Sequence, residues 1–165
     1  MPVALFTYHA YGSWLPDRPQ GYVERNRGIH PTNKKLATIQ RGLLTQPEVS
    51  FDSELQRAII ERFQAICQEE GYRAHAAASE ASHVHLLASW RDFQAPMKQV
   101  GGRIKNLISL HLSREHDCVG HKWFARGASR QQVESRRHFE HLVNAYLPKH
   151  SGWFWREEIG WRDPR

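Results

Sequence analysis

YRAHAAASEASHVHLLASW, Tyr72 to Trp90, holds two apolar runs of strand length on either side of a short break at Glu80 to Ser82. Two such runs across so short a break read as an antiparallel hairpin. Side chains alternate along a strand, so His83, His85 and Leu87 point one way while Val84, Leu86, Ala88 and Trp90 point the other. The second set is a core face. The first sets two imidazoles about 7 Å apart on one face, where they can grip one metal ion or one phosphate. In a chain with 11 histidines, a pair of hydrogen-bonded structural histidines is the competing reading.

Working outward, PVALFTYHAY before Gly12 is rich in aromatic and apolar residues and reads as the first strand. The stretch from about 12 to 50 opens with GSWLPDRPQGYVERNRGIHPTNKK, dense in Pro, Gly, Asn and charge, and reads as a long loop or arm. From Phe51 a helix is expected, capped by Asp52 or Ser53, with Leu55, Ile59, Phe63, Ile66 and Cys67 at helical spacing and Gly71 as its stop. A second helix should run from about Pro96 to His116, with Val100, Ile104, Leu107, Ile108 and Leu112 on one stripe. Gly101-Gly102 inside it weakens that turn and suits the close approach of a backbone or a phosphate. HKWFARGAS, 121–129, reads as a fourth strand. Glu134 to about Leu147 follows as a third helix, with Phe139, Leu142, Val143 and Tyr146 on one face and Pro148 limiting it. The tail from 151 to 165 sets three tryptophans among charges and suits an element that docks on the body or on a partner.

The order strand, helix, strand, strand, helix, strand, helix predicts an α+β fold of the ferredoxin-like split βαβ type. Its four-stranded antiparallel sheet would carry two helices on one face, with a C-terminal helix bearing Tyr146 appended. By length, 1–165 reads as one domain.

Cys67 and Cys118 are the only cysteines, which excludes a disulfide scaffold or a thiolate zinc site and points to a reducing, cytoplasmic setting. No apolar run approaches a membrane span and the first residues carry no leader pattern, so an unexported protein without a membrane partner is expected. Lys and Arg number 23 against 17 Asp and Glu, a net charge of +6. That balance makes a polyanionic partner worth weighing, and the six tryptophans offer surfaces on which single-stranded bases stack. Lys98, Arg103, Lys105, Arg126 and Arg130 are the candidate phosphate contacts, with Arg136-Arg137 and the Trp14 arm as further ones. Taken singly, Lys98, Arg103, Lys105, Arg126 and Arg130 each read more readily as a solvated surface charge, and Trp14 reads as readily as a core or packing residue. There is no nucleotide-binding Gly loop and no serine or cysteine triad.

Tyr146 is the residue of the last helix suited to face the histidine pair, and His150 lies four residues on. A tyrosine hydroxyl beside a metal-bound phosphate can attack phosphorus, whereas an ordinary amphipathic helix would use the same tyrosine as its last core aromatic. HVHLLASW resembles the His-hydrophobic-His motif of the single-tyrosine HUH transposases, which occur in insertion sequences of the 200 type and as REP-associated tyrosine transposases. The opening TYHAYGSWLPDRPQGYV is similar to the TYGTWLPGD.RGWV opening of one branch, and Trp123, Gly127, Ser129 and the AYLPKH stretch fit the same pattern.

The resemblance implies His83 and His85 as ligands of a divalent metal, Mg²⁺ or Mn²⁺, and Tyr146 as the nucleophile. It sets His150 where the family has a glutamine that completes the metal site. Ser82 stands where the family usually has Asp or Asn, and Pro148 leaves open whether His150 reaches the metal. The implied activity is DNA transposition, the nicking and rejoining of single-stranded or hairpin DNA through a 5′-phosphotyrosine. Relatives of the insertion-sequence kind pair as homodimers and REP-associated ones act as monomers, and both assemblies stay open. Two other classes compete: a domesticated single-stranded nucleic-acid-binding protein that no longer cuts, and a metal-dependent phosphoesterase that uses water.

Overall fold

The computed structural model describes residues 1–19, 21–24 and 28–165. Its main sheet is antiparallel and has six strands. They are β1 (Val3–His9), β4 (Arg73–Glu80), β5 (His83–Ser89), β6 (Ser129–Gln132), β7 (Phe154–Arg156) and β8 (Gly160–Arg162). The spatial order β6-β1-β5-β4-β7-β8 contains the expected ferredoxin-like four, β6-β1-β5-β4. The tail adds the other two. It folds into the β7-β8 hairpin and pairs with β4 along Ala76 to Ala78, so the sheet is wider than the four strands expected.

One face is covered by α2 (Ser53–Glu69) and α3 (Met97–Glu115). The Asp52 carboxylate accepts from the Leu55 amide and starts α2 as its sequence predicts. Phe6, Tyr8, Val84 and Leu86 from the sheet meet Ile59, Phe63, Ile104 and Ile108 from the helices in the larger core. Gly101 has a packing reason. A Cβ there would come within 2.7 Å of the Phe6 ring, and its carbonyl accepts from the Tyr8 hydroxyl at 2.7 Å. The close approach it permits is to β1, not to a phosphate.

The opposite face carries a smaller core of Leu5, Ala76, Ala78, Leu87 and Phe154 under Leu142, Val143 and Leu147. Its cover begins as α4 (Arg136–His141), capped by the Ser135 hydroxyl. The expected helix does not stay α-helical to residue 147. It widens into a π turn over Leu142–Tyr146 and tightens into a 3₁₀ turn over Leu147–Lys149. Pro148 has no amide hydrogen and its ring clashes with a regular preceding turn, so the Leu147 amide reaches back five residues to the Leu142 carbonyl.

The fourth strand is displaced from 121–129 to Ser129–Gln132. Trp123 and Phe124 are buried, and Phe124 makes a single bridge to Ala10. Lys105 Nζ draws the Ala125 and Gly127 carbonyls inward at 2.5 and 2.6 Å, and the ladder starts only after Gly127 turns with φ +90°. The strand that forms is polar and exposed, without an apolar period to betray it. The arm also has structure of its own. A short hairpin pairs β2 (Tyr22–Glu24) with β3 (Gly28–His30), and α1 (Lys34–Gly42) follows, capped by Asn33. Gln20 and residues 25–27 of the expected arm lie outside the described residues. Among the described residues no helix is long and apolar enough to cross a membrane.

Candidate metal and tyrosine site

Antiparallel pairing of β1 with β5 puts Leu5 opposite Leu87, Thr7 opposite His85 and His9 opposite His83. Directly opposed residues share a face, so the period-two pattern of Thr7 and His9 meets that of the histidine pair. His83 and His85 stand with ring centroids 4.8 Å apart at the open end of the smaller core. His150 joins them, 5.6 Å from His83 and 4.6 Å from His85. One nitrogen from each of the three lies within 4.8 Å of the others. The turn at Pro148 therefore does not carry His150 away, and the chain folds it back over the sheet.

Each ring has its other nitrogen engaged. His150 Nδ1 is 3.0 Å from the Leu147 carbonyl, which only accepts, so Nδ1 donates there and Nε2 is the nitrogen left for the cluster. His85 Nδ1 is 2.8 Å from the Thr7 hydroxyl, and His83 Nδ1 is 3.0 Å from the Ser82 hydroxyl. Ser82, which stands where the resembled family has Asp or Asn, thus orients one of the rings. His85 and His150 are only 5% and 8% exposed. Burial, reinforced by the neighbouring imidazoles, holds His85 down to about 2. Burial also lowers His83 to about 4, against an upward pull from the Glu80 carboxylate. Both rings are neutral at neutral pH, the form that binds metal.

Tyr146 leaves the π turn with its hydroxyl 3.4 Å from His85 Nε2 and its ring 5.3 Å from that of His150. It is 37% exposed, so an incoming strand can reach it. Burial of its ring, with Glu80 nearby, raises the phenol above its ordinary value and keeps it protonated at rest. A half-open tyrosine over three convergent imidazoles can attack an electrophile held by them.

The basic candidates do not gather here. Lys98, Arg103 and Lys105 ride on α3, which covers the other face of the sheet. Arg103 is held by Glu70 in a two-pronged pair at 2.9 and 3.1 Å, and Lys105 is spent on the Ala125 and Gly127 carbonyls. Arg130 is opposite Phe6 in the register and so shares the helix-covered face. Arg126 and Arg137 are exposed, and Arg136 pairs with Glu140. Sequence reasoning passed over Thr7, His9, Arg18 and Glu80. Thr7 and His9 lie within the first strand, where the spacing Thr-Tyr-His, once paired with β5, was signal enough. Trp14 is neither a core residue nor a free platform, since its ring is 3.8 Å from His9 and has Arg18 over it.

No family model and no curated protein matches the sequence. Among solved structures, one similar chain is a REP-associated tyrosine transposase bound to a REP hairpin, at 12% identity and a TM-score of 0.46. That comparison covers 86% of this chain, which spans 62% of the length of the other. Another is a candidate transposase from Deinococcus radiodurans R1, at 10% identity and a TM-score of 0.50, with 90% of each chain covered. At such identity the likeness is one of fold: this chain has the fold of that second solved chain.

Proposed function

We propose that the chain is a transposase-like enzyme that nicks and rejoins structured single-stranded DNA through a 5′-phosphotyrosine. The observation that supports this best is the Tyr146 hydroxyl 3.4 Å from His85, in a cluster whose three ligand nitrogens lie within 4.8 Å. The donor set fits a divalent ion: three imidazole nitrogens lie within 4.8 Å of one another, two of the rings are held neutral, and each ring has its other nitrogen fixed by a partner. His83, His85 and His150 would hold it. Three nitrogens suit Mn²⁺ better than Mg²⁺, which prefers oxygen. Bound there, the ion would supply Lewis-acid polarisation of the scissile phosphate.

The Tyr146 oxygen attacks phosphorus while the bond to the 3′ oxygen breaks. The phenol loses its proton and the departing 3′ oxygen takes one up, leaving a free 3′-OH and a 5′-phosphotyrosine. Because the phosphoester bond is kept, attack by another 3′-OH rejoins the strand. All four side chains come from one chain, which supports cleavage in cis whether or not the protein pairs. A single domain and the expected cytoplasmic setting, in which Cys67 and Cys118 stay free, belong to this reading.

The test is incubation with end-labelled hairpin oligonucleotides and Mn²⁺, followed by a denaturing gel. A covalent adduct is expected in the wild type and lost in Tyr146→Phe. Mixing Tyr146→Phe with His85→Ala should not restore it if cleavage runs in cis. An adduct in Tyr146→Phe would remove the nucleophile assignment. Cleavage without an adduct would favour a water-using phosphoesterase, and binding alone a non-cutting module.

A further inference from the structure

Arg18 stands beside the site without a committed donor set. Its guanidinium lies 3.9 Å over the Trp14 ring, Trp14 lies 3.8 Å from His9, and His9 lies 5.7 Å from His83. Tyr146 contacts the cluster from the other end, through His85 and His150. The backbone at this point is fastened: the Arg18 carbonyl accepts from the Gly21 amide at 2.9 Å and from the Thr32 hydroxyl at 2.7 Å. Arg18 Nη1 is nonetheless buried with no hydrogen-bond partner among the described residues. Two arginines of the tail are held by the protein, Arg156 on Asn144 and Glu158, and Arg162, through its two terminal nitrogens, on the carbonyls of Pro148 and His150.

A planar cation pre-set against an aromatic face, with an unused donor beside a phosphate-handling cluster, is built to receive a phosphate oxygen. We propose that Arg18, laid on Trp14 next to His83, binds a phosphate of the DNA strand at the end of the cluster away from Tyr146. The inference rests on the strand-transfer reading for its substrate. Arg18 acts there as a positioning residue, fixing the strand so that the scissile phosphate meets Tyr146. Glu80, the acidic neighbour that acts on Arg18, His83 and Tyr146 alike, is the counter-charge from which the phosphate would draw it.

The test uses the full chain and hairpin oligonucleotides. Binding is measured across a salt series in a Tyr146→Phe background, with and without Arg18→Gln, which keeps the stem on Trp14. Loss of one phosphate contact should lower the slope of log K against log salt by about 0.7. In the cleaving protein, Arg18→Gln should slow adduct formation about tenfold, with Arg18→Lys in between. A scan of single neutral methylphosphonates should find one position near the scissile bond that has the same effect in the wild type and none further in Arg18→Gln. An unchanged slope, or methylphosphonate effects that all add to the substitution, would overturn the proposal. The binding arm stays informative if no adduct forms at all, since that outcome counts against strand transfer and not against Arg18.

Discussion

The Thr7 hydroxyl, 2.8 Å from His85 Nδ1, is the smallest group on which the site depends. It occupies the nitrogen that faces the sheet, so the other nitrogen is the one presented to the cluster and to Tyr146. Such outer partners of metal-binding imidazoles typically contribute 10- to 100-fold to affinity. Thr7→Val keeps the shape of the side chain and removes the hydroxyl, leaving a buried ring nitrogen without a partner. It should weaken Mn²⁺ binding by about that factor and cost roughly 1–3 kcal/mol of stability. Calorimetric titration with Mn²⁺ measures the first and denaturant unfolding the second. An affinity within twofold of the wild type would mean that Thr7 does not set the ring.

At the level of elements, the tail hairpin carries more of the site than its position suggests. Arg162 of β8 donates to the Pro148 carbonyl at 2.8 Å and the His150 carbonyl at 3.0 Å, holding the turn that returns His150 to the cluster. Gly152 lets this happen at close range, for a Cβ there would come within 2.3 Å of the Ser79 carbonyl. Arg162→Gln should leave the sheet intact and lower Mn²⁺ affinity about tenfold by loosening one ligand of three. Equal affinity, with the His150 ring unshifted by NMR, would show that the turn holds itself. The strand that carries His83 and His85 was legible in the sequence because its alternation is strict and one of its faces, Val84, Leu86 and Ala88, is wholly apolar. So was α2, whose cap and stripe agree. β6 was not, since an exposed edge strand of Ser, Arg and Gln has no periodic signal. The π turn was hidden as well: the spacing of Phe139, Leu142 and Tyr146 is the same whether the last turn is regular or wide, and only the packing over the sheet decides it.

Across the whole molecule, the sheet separates two kinds of burial. The face under α2 and α3 is largely apolar, its buried Gln56 and Ser79 bonded to each other, while the other ends in His83, His85 and His150, with no carboxylate within ion-pair distance among the described residues. That arrangement makes the fold sensitive to acid. Burial holds His9 and His83 to about 4 and His85 to about 2, and it lowers His75 too. In the unfolded chain these rings titrate near about 6.5. Below that pH the unfolded state binds protons that the folded state refuses, so stability is full above about pH 6.5 and falls as the pH drops towards 4. Each ring contributes at most about 1.4 kcal/mol per pH unit over that interval. The melting temperature should therefore be level from pH 8 to 7 and decline from 6.5 to 5, above the range in which lowered carboxylates such as Asp17 and Glu69 titrate. Mn²⁺, which binds neutral rings, should raise the melting temperature at pH 7 and lose that effect only as the pH nears 4, where His83 takes up a proton in the folded state. His85→Asn should flatten the decline. A melting temperature unchanged between pH 7 and 5 would mean that the rings take up protons in the folded state, and the cluster would then be too open to act as a neutral metal site.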